Sequence, residues 1–181
     1  MKVFALSMDK NLCAIGFRRV VSAAKDKGYD VDAIYFLDDA WGPSLAGSWW
    51  NHDMTDDFTM NFASTKSKRI RVSPDDAVKR IAEVVKDGDV LAFSCMSVQA
   101  KIAQSIVEET KKLNPAIKVI IGGYHPSIFP DHAITFADAI CLGEGELVFL
   151  EFLQRVQARQ PLKGLPGTWT NDGGEISKNP H

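Results

Sequence analysis

The sequence predicts an α/β fold, a five-stranded parallel sheet wound by helices on both faces in the strand order 2-1-3-4-5. Three observations predict it. Short apolar runs such as Val119-Ile-Ile121 have the composition of strands buried on both faces. Longer segments between them place apolar residues at a helical period. The two kinds alternate along the chain, and such alternation implies right-handed parallel crossovers.

Each element has a local reason. Val3 to Ser7 reads as the first strand and Met8 to Asn11 as its loop. Leu12 to Lys27 reads as a helix with Ile15, Phe17, Val20, Val21 and Ala24 on its stripe, and Gly28 is placed to end it. Val31 to Leu37 is the second strand. Asp38 to Val72 then loses all period and carries Trp41, Trp49 and Trp50, with the basic stretch Lys66-Ser-Lys68-Arg69 read as solvated. It reads as an irregular insertion over the sheet edge anchored by its tryptophans, or as a lid or docking surface.

Regularity returns at Ser73-Pro74-Asp75-Asp76, a helix start with Ser73 as cap and Pro74 in the first turn. Val78, Ile81, Val84 and Val85 are expected on its buried face, and Asp87-Gly88 ends it. Asp89 to Ser94 is the third strand. Val98 to Leu113 is a helix with Ile102, Ala103, Ile106, Val107 and Thr110 on one side, stopped by Asn114-Pro115. The run at Val119 is the fourth strand. Pro126 to Phe136 reads as a short helix or two turns, and Ala137 to Leu142 as the fifth strand. Glu146 to Gln157 is a helix dense in Leu147, Phe149, Leu150, Phe152 and Leu153, expected to be largely buried. The tail from 165 to 178 reads as a small C-terminal β-hairpin turning at Asn171 to Gly174. The five βα units correspond to the Rossmann/flavodoxin-like arrangement, and residues 1–181 are read as a single domain.

Composition narrows the function classes. The 181 residues are 45% hydrophobic, enough for a sizeable core, and carry a net charge of −2 without a strong basic run. A nucleic-acid partner is not suggested. Cys13, Cys95 and Cys141 are sparse and odd in number, which fits a reducing compartment. No apolar run approaches the ~20 residues of a membrane span, so no membrane partner is expected and the location read is cytoplasmic.

In such a sheet, ligands bind at the carboxyl ends of strands. The loops sharing that edge are Met8 to Leu12, Ser94 to Ser97, Gly122 to Ser127 and Gly143 to Glu146. A Walker phosphate loop, a Gly-x-Gly-x-x-Gly fingerprint after the first strand and zinc-ligand spacing are all missing. No nucleophile–base constellation stands out, so independent catalysis is not claimed.

The combination Ile121-Gly-Gly-Tyr-His-Pro-Ser127, Phe129-Pro130, Asp138-Ala-Ile-Cys-Leu-Gly-Glu-Gly-Glu146 and Leu165-Pro-Gly-Thr-Trp169 carries a resemblance. It resembles the N-terminal cobalamin (vitamin B12)-binding domain of cobalamin-dependent radical S-adenosylmethionine (SAM) enzymes. The resemblance implies a cobalamin site built from Asp9, Asn11, Ser94, Met96 and Ser97, from Gly122, Gly123, Tyr124, His125, Pro126 and Ser127, and from Gly143, Glu144, Gly145 and Glu146. Gly122 and Gly123 would line the nucleotide tail, which would pass between the first and third strands.

Two departures sharpen that expectation. Many cobalamin carriers place Asp-x-His-x-x-Gly after the first strand, with the histidine binding cobalt from below. Here Asp9 is followed by Asn11 at the histidine position and Ala14 at the glycine position. Cobalt is therefore expected base-off, without a protein histidine, and no residue is assigned as a metal ligand. His125 is read as structural or tail-contacting, with substitution for the missing ligand as the alternative. His52, His132 and His181 have no special context. The three cysteines also cannot form Cys-x-x-x-Cys-x-x-Cys, so the iron–sulfur cluster and SAM would belong to a partner radical domain outside this chain. The chain is then either an N-terminal module or a stand-alone relative. It would be part of a methyltransferase- or cyclase-type enzyme. A flavodoxin-like or other nucleotide-binding redox protein or small enzyme is the competing reading.

Overall fold

The computed structural model describes residues 1–8, 14–35 and 74–179. The 38–72 insertion with its tryptophans, the Ser73 cap and the site candidates Asp9 and Asn11 lie outside the described residues. The described elements are β1 (Lys2–Ser7), α1 (Ile15–Asp26), β2 (Asp30–Tyr35), α2 (Pro74–Val85), β3 (Val90–Ser94) and α3 (Ala100–Leu113). Then follow β4 (Lys118–Gly122), α4 (Tyr124–Ile128), α5 (Pro130–Ala133), β5 (Ala139–Cys141), α6 (Gly145–Gln157), β6 (Thr168–Asp172) and β7 (Glu175–Asn179).

The first five strands stand in the expected order, β2-β1-β3-β4-β5, and all pair in parallel. The sheet is larger than five strands, however. Cys141 pairs with Thr168 and Trp169 with Lys178, so the C-terminal hairpin adds two antiparallel strands to the same sheet. The physical reason lies in β5: Ala139, Ile140 and Cys141 are all buried. Left as an edge, that strand would expose a row of unpaired backbone groups beside an apolar surface. The hairpin covers it, with its turn at Gly173 and Gly174, both at positive φ.

Strand alternation sorts the core into two layers. Phe4, Leu6, Leu91, Phe93, Val119, Ile121 and Ile140 face Val85 of α2 and Ala103, Ile106 and Val107 of α3. Val3, Ala5, Val90, Ala92, Ile120 and Ala139 face Phe17 and Val21 of α1 and Phe149, Phe152 and Leu153 of α6. Each fully buried leucine, isoleucine or phenylalanine contributes roughly 2 kcal/mol. The α1 end is a Schellman motif: Gly28 N–H donates to Lys25 O and Tyr29 N–H to Ala24 O, with Gly28 at φ +84.

Three stripe assignments are corrected. Ile15 is 69% exposed, Val84 50% and Leu147 81%. In α2 the buried face runs through Ala77, Ala82 and Val85, and Val84 falls about 100° away from Val85. In α6 it runs through Val148, Phe149, Phe152 and Leu153, and Leu147 is likewise off the face. Val98 belongs not to α3 but to a 3-10 turn, Ser97–Gln99, that precedes it, and it is exposed. The 126–136 segment forms the two short helices α4 and α5. No helix among the described residues is long and apolar enough to cross a membrane.

Candidate functional site

The ends of β1, β3 and β4 are level, because Ser7 pairs with Ser94 and Ser94 with Gly122. Main-chain bonds continue past them. Met8 N–H donates to Ser94 O at 3.1 Å, Cys95 N–H to Gly122 O at 3.0 Å, and His125 N–H to Cys95 O at 3.0 Å. The loops after β3 and β4 therefore leave the sheet as one stitched unit. The same bonds close the gap between β1 and β3 as far as Met8, so a cofactor tail could enter only beyond that residue.

The two central glycines have different reasons. Gly123 lies at φ +98 and ψ −164, a region open essentially to glycine alone. A Cβ there would sit 2.9 Å from Cys95 O and 3.0 Å from Cys95 N. The chain's own packing demands that glycine. A Cβ on Gly122 would meet nothing nearer than Cys141 Cβ at 3.8 Å. Packing does not demand glycine there, and its absent side chain leaves bare backbone at the strand end. This is the feature that fits a large ring with a tail.

Around it the edge is open and mixed in polarity. Met96 is 44% exposed and Tyr124 70%. Ser97, Ser127, Gly143 and Glu144 are exposed, and Ser94 is half-buried. Ser127 Oγ donates to Gly123 O at 3.0 Å and keeps its acceptor capacity. Apolar faces beside hydroxyls and loop backbone suit a corrin, whose flat body is apolar and whose rim carries amides.

Other candidates are occupied by the fold. A Cβ on Gly145 would lie 3.1 Å from Val20 Cγ2, so that glycine lets α6 approach α1. Glu146 forms an ion pair with Arg19 at 2.9 Å across the same contact. Pro126 is buried. Burial pushes the Cys95 thiol up to about 12 and, with Glu146 and Glu144 nearby, the Cys141 thiol up to about 11. Neither supplies a thiolate at neutral pH. They lie in opposite core layers. No group of three or more side chains suited to a metal ion occurs among the described residues. Two concavities, about 860 Å³ along α6 from Leu147 to Lys163 and about 700 Å³ beside Asp138, include none of the residues from Ser94 to Ser97 or Gly122 to Ser127. The candidate residues therefore lie on the open edge rather than in either of them.

His125 points inward and is 4% exposed. Its Nε2 lies 2.9 Å from Nδ1 of His132, and its Nδ1 is buried without a partner among the described residues. A buried N–H without an acceptor costs more than an unused lone pair. The proton therefore sits on Nε2 of His125, which donates to His132. His132 was read as having no context because the pairing depends on the α4–α5 bend. Burial, then the neighbouring His132, holds the His125 pKa below its usual 6.5.

The sign follows from linkage. The folded state binds fewer protons than the unfolded chain, so this stability is present above pH 6.5 and is lost as pH falls below it. His125→Phe, which cannot take a proton, is expected to flatten the slope of unfolding free energy between pH 7 and pH 5. Urea denaturation across that range checks this, and equal slopes would assign the loss to other groups.

Gln99, also missed, lies at the end of the 3-10 turn. Its Oε1 accepts from Met96 N–H at 2.9 Å and its Nε2 donates to Met8 O. The only local signal was a glutamine three residues after the start of a turn.

Residues 65–153 match the family model of the B12 binding domain. Residues 65–153 thus resemble B12-binding domains, and solved radical SAM enzymes share the fold of this chain. Among curated relatives, an uncharacterized methyltransferase of Pyrococcus horikoshii is 27% identical over 105 residues, 55% of this chain and 23% of its own length. The 2-(S-pantetheinyl)-carbapenam-3-carboxylate methyltransferase of Streptantibioticus cattleyicolor is 29% identical over 104 residues, 55% of this chain and 15% of its own. The radical SAM methyltransferase TsrM of Kitasatospora setae, solved with cobalamin and a [4Fe-4S] cluster, shares the fold at a TM-score of 0.62 and 14% identity. That match covers 99% of this chain and 28% of TsrM. The chain thus spans less than a third of each of these proteins.

Proposed function

We propose that this domain holds a cobalamin base-off at the carboxyl edge of its sheet and presents it to a radical SAM domain. The observation that carries the reading is the open edge at Gly122 with His125 turned away to His132. Gly122 backbone, Met96, Ser97, Tyr124 and Ser127 would hold the group, and Gly143 and Glu144 would flank it. Cobalamin supplies methyl transfer or related one-carbon and redox chemistry when bound. The chain's own part is to bind and orient it. The iron–sulfur cluster and SAM belong to the partner domain. Asn11 at the position of the lower-face histidine supports a cobalt without that ligand.

The test is binding of cob(II)alamin to the purified protein, read by absorption and electron paramagnetic resonance. The expected spectrum is base-off, without nitrogen superhyperfine splitting, and is unchanged in His125→Ala. Splitting that responds to ¹⁵N labelling of the protein would identify a histidine ligand and overturn the base-off reading. A protein that takes up flavin and no corrinoid would overturn the cofactor itself.

A further inference from the structure

We infer that Gln99 is a positioning residue for the corrinoid site, a clamp that sets the spacing of the loops after β1 and β3. The inference rests on the cobalamin reading above. Those two strands flank the point where the winding of the sheet reverses, the place where ligands of such sheets bind. Beyond the level ends at Ser7 and Ser94, one main-chain bond among the described residues, Met8 N–H to Ser94 O, joins the two loops. Gln99 adds a side-chain link across 91 residues of sequence. Its amide nitrogen donates to Met8 O and its amide oxygen accepts from Met96 N–H.

The geometry uses both ends of the carboxamide at once. Met96 is held by Gln99, Cys95 N–H binds Gly122 O, and His125 N–H binds Cys95 O. One glutamine thereby couples Met8, where β1 ends, to the already stitched β3 and β4 loops. Gln99 is half-buried and anchored at the start of α3, so its position is set by the sheet and not by a ligand. Met96, which is exposed on the same edge, is oriented through its own backbone.

Alanine removes both bonds. Glutamate keeps the acceptor for Met96 but sets a carboxylate against the Met8 carbonyl, two acceptors with no proton between them. Protonation restores a donor there. Gln99→Ala is expected to weaken methylcobalamin binding about tenfold, the equivalent of one to two net hydrogen bonds. Gln99→Glu is expected to bind weakly at pH 8 and to recover towards wild-type affinity as pH falls to about 5, near the carboxyl range. The wild-type affinity sets the reference at each pH.

Hydrogen exchange of the cofactor-free protein gives a readout independent of cobalamin. Gln99→Ala should speed exchange of the Met8 amide and leave Val119 to Ile121 unchanged. Wild-type affinity in both variants, or unchanged Met8 protection, would overturn the clamp and leave Gln99 as a helix cap. A wild-type protein that binds no corrinoid would overturn the cofactor reading, and the exchange result would still decide whether Gln99 ties the two loops.

Discussion

Replacing Gly123 with valine is expected to abolish corrinoid uptake and also to lower the unfolding free energy by on the order of 3 kcal/mol. Two costs act together. The backbone sits at φ +98 and ψ −164, which a β-branched residue does not adopt without strain. The added Cβ would also press on Cys95 O and N at 2.9 and 3.0 Å, and backbone atoms cannot swing aside as a side-chain tip can. The strain reaches beyond the loop, because Cys95 belongs to the bonded unit of Gly122 and His125. Gly122→Ala is the cleaner probe of the ligand, since its Cβ would make only ordinary contacts. Urea denaturation and corrinoid titration of both variants check the pair of expectations. A Gly123→Val protein with wild-type stability and binding would contradict the geometry.

Asp138→Ala is expected to cost about 3 kcal/mol while leaving corrinoid affinity unchanged. Asp138 Oδ2 accepts from Val119 N–H at 2.8 Å and from Lys111 Nζ at 2.9 Å, and Oδ1 accepts from Lys118 Nζ at 3.2 Å. Alanine leaves the N–H of Val119, a fully buried residue, without an acceptor. Both lysines are more than a third exposed, so their share is small and the buried amide dominates. Asp138→Asn keeps an acceptor for Val119 and is expected to lose only about 1 kcal/mol. In thermal unfolding the alanine variant should melt roughly 6–12 °C lower. Asp138 lies at the amino end of β5, opposite the proposed binding edge, which is why binding should not change. Equal losses for alanine and asparagine would place the cost elsewhere.

Much of the fold was legible because its signals are local. Strands buried on both faces are apolar runs, helices repeat at their own period, and Gly28 ends α1 through a bond to Lys25, three residues away. The order of the first five strands followed from the five βα units, which commonly wind about a switch between the first and third strands. Helix faces were less secure. Ile15, Val84 and Leu147 are apolar residues that sit off the buried stripe, and period alone does not say how wide that stripe is.

The candidate loops were legible in the sequence, but the contacts within them were not. Gly122 and Gly123 are adjacent and identical in sequence. A Cβ on the first would make only ordinary contacts, and one on the second would press on the Cys95 backbone. His125 stood out in its motif, but His132 decides where it points, and a bend between two short helices brings them together.

By itself the sequence determined the α/β class and the strand order β2-β1-β3-β4-β5, and it carried the cobalamin resemblance. Each rests on periodicity, glycine placement or a contiguous motif. Only the tertiary structure decided that the hairpin completes a seven-stranded sheet, that Gly145 and Glu146 serve the α1–α6 contact, and that Gln99 reaches Met8. Those outcomes depend on contacts between residues far apart in the chain, which form only when whole layers pack together, and no local pattern encodes the distance between them.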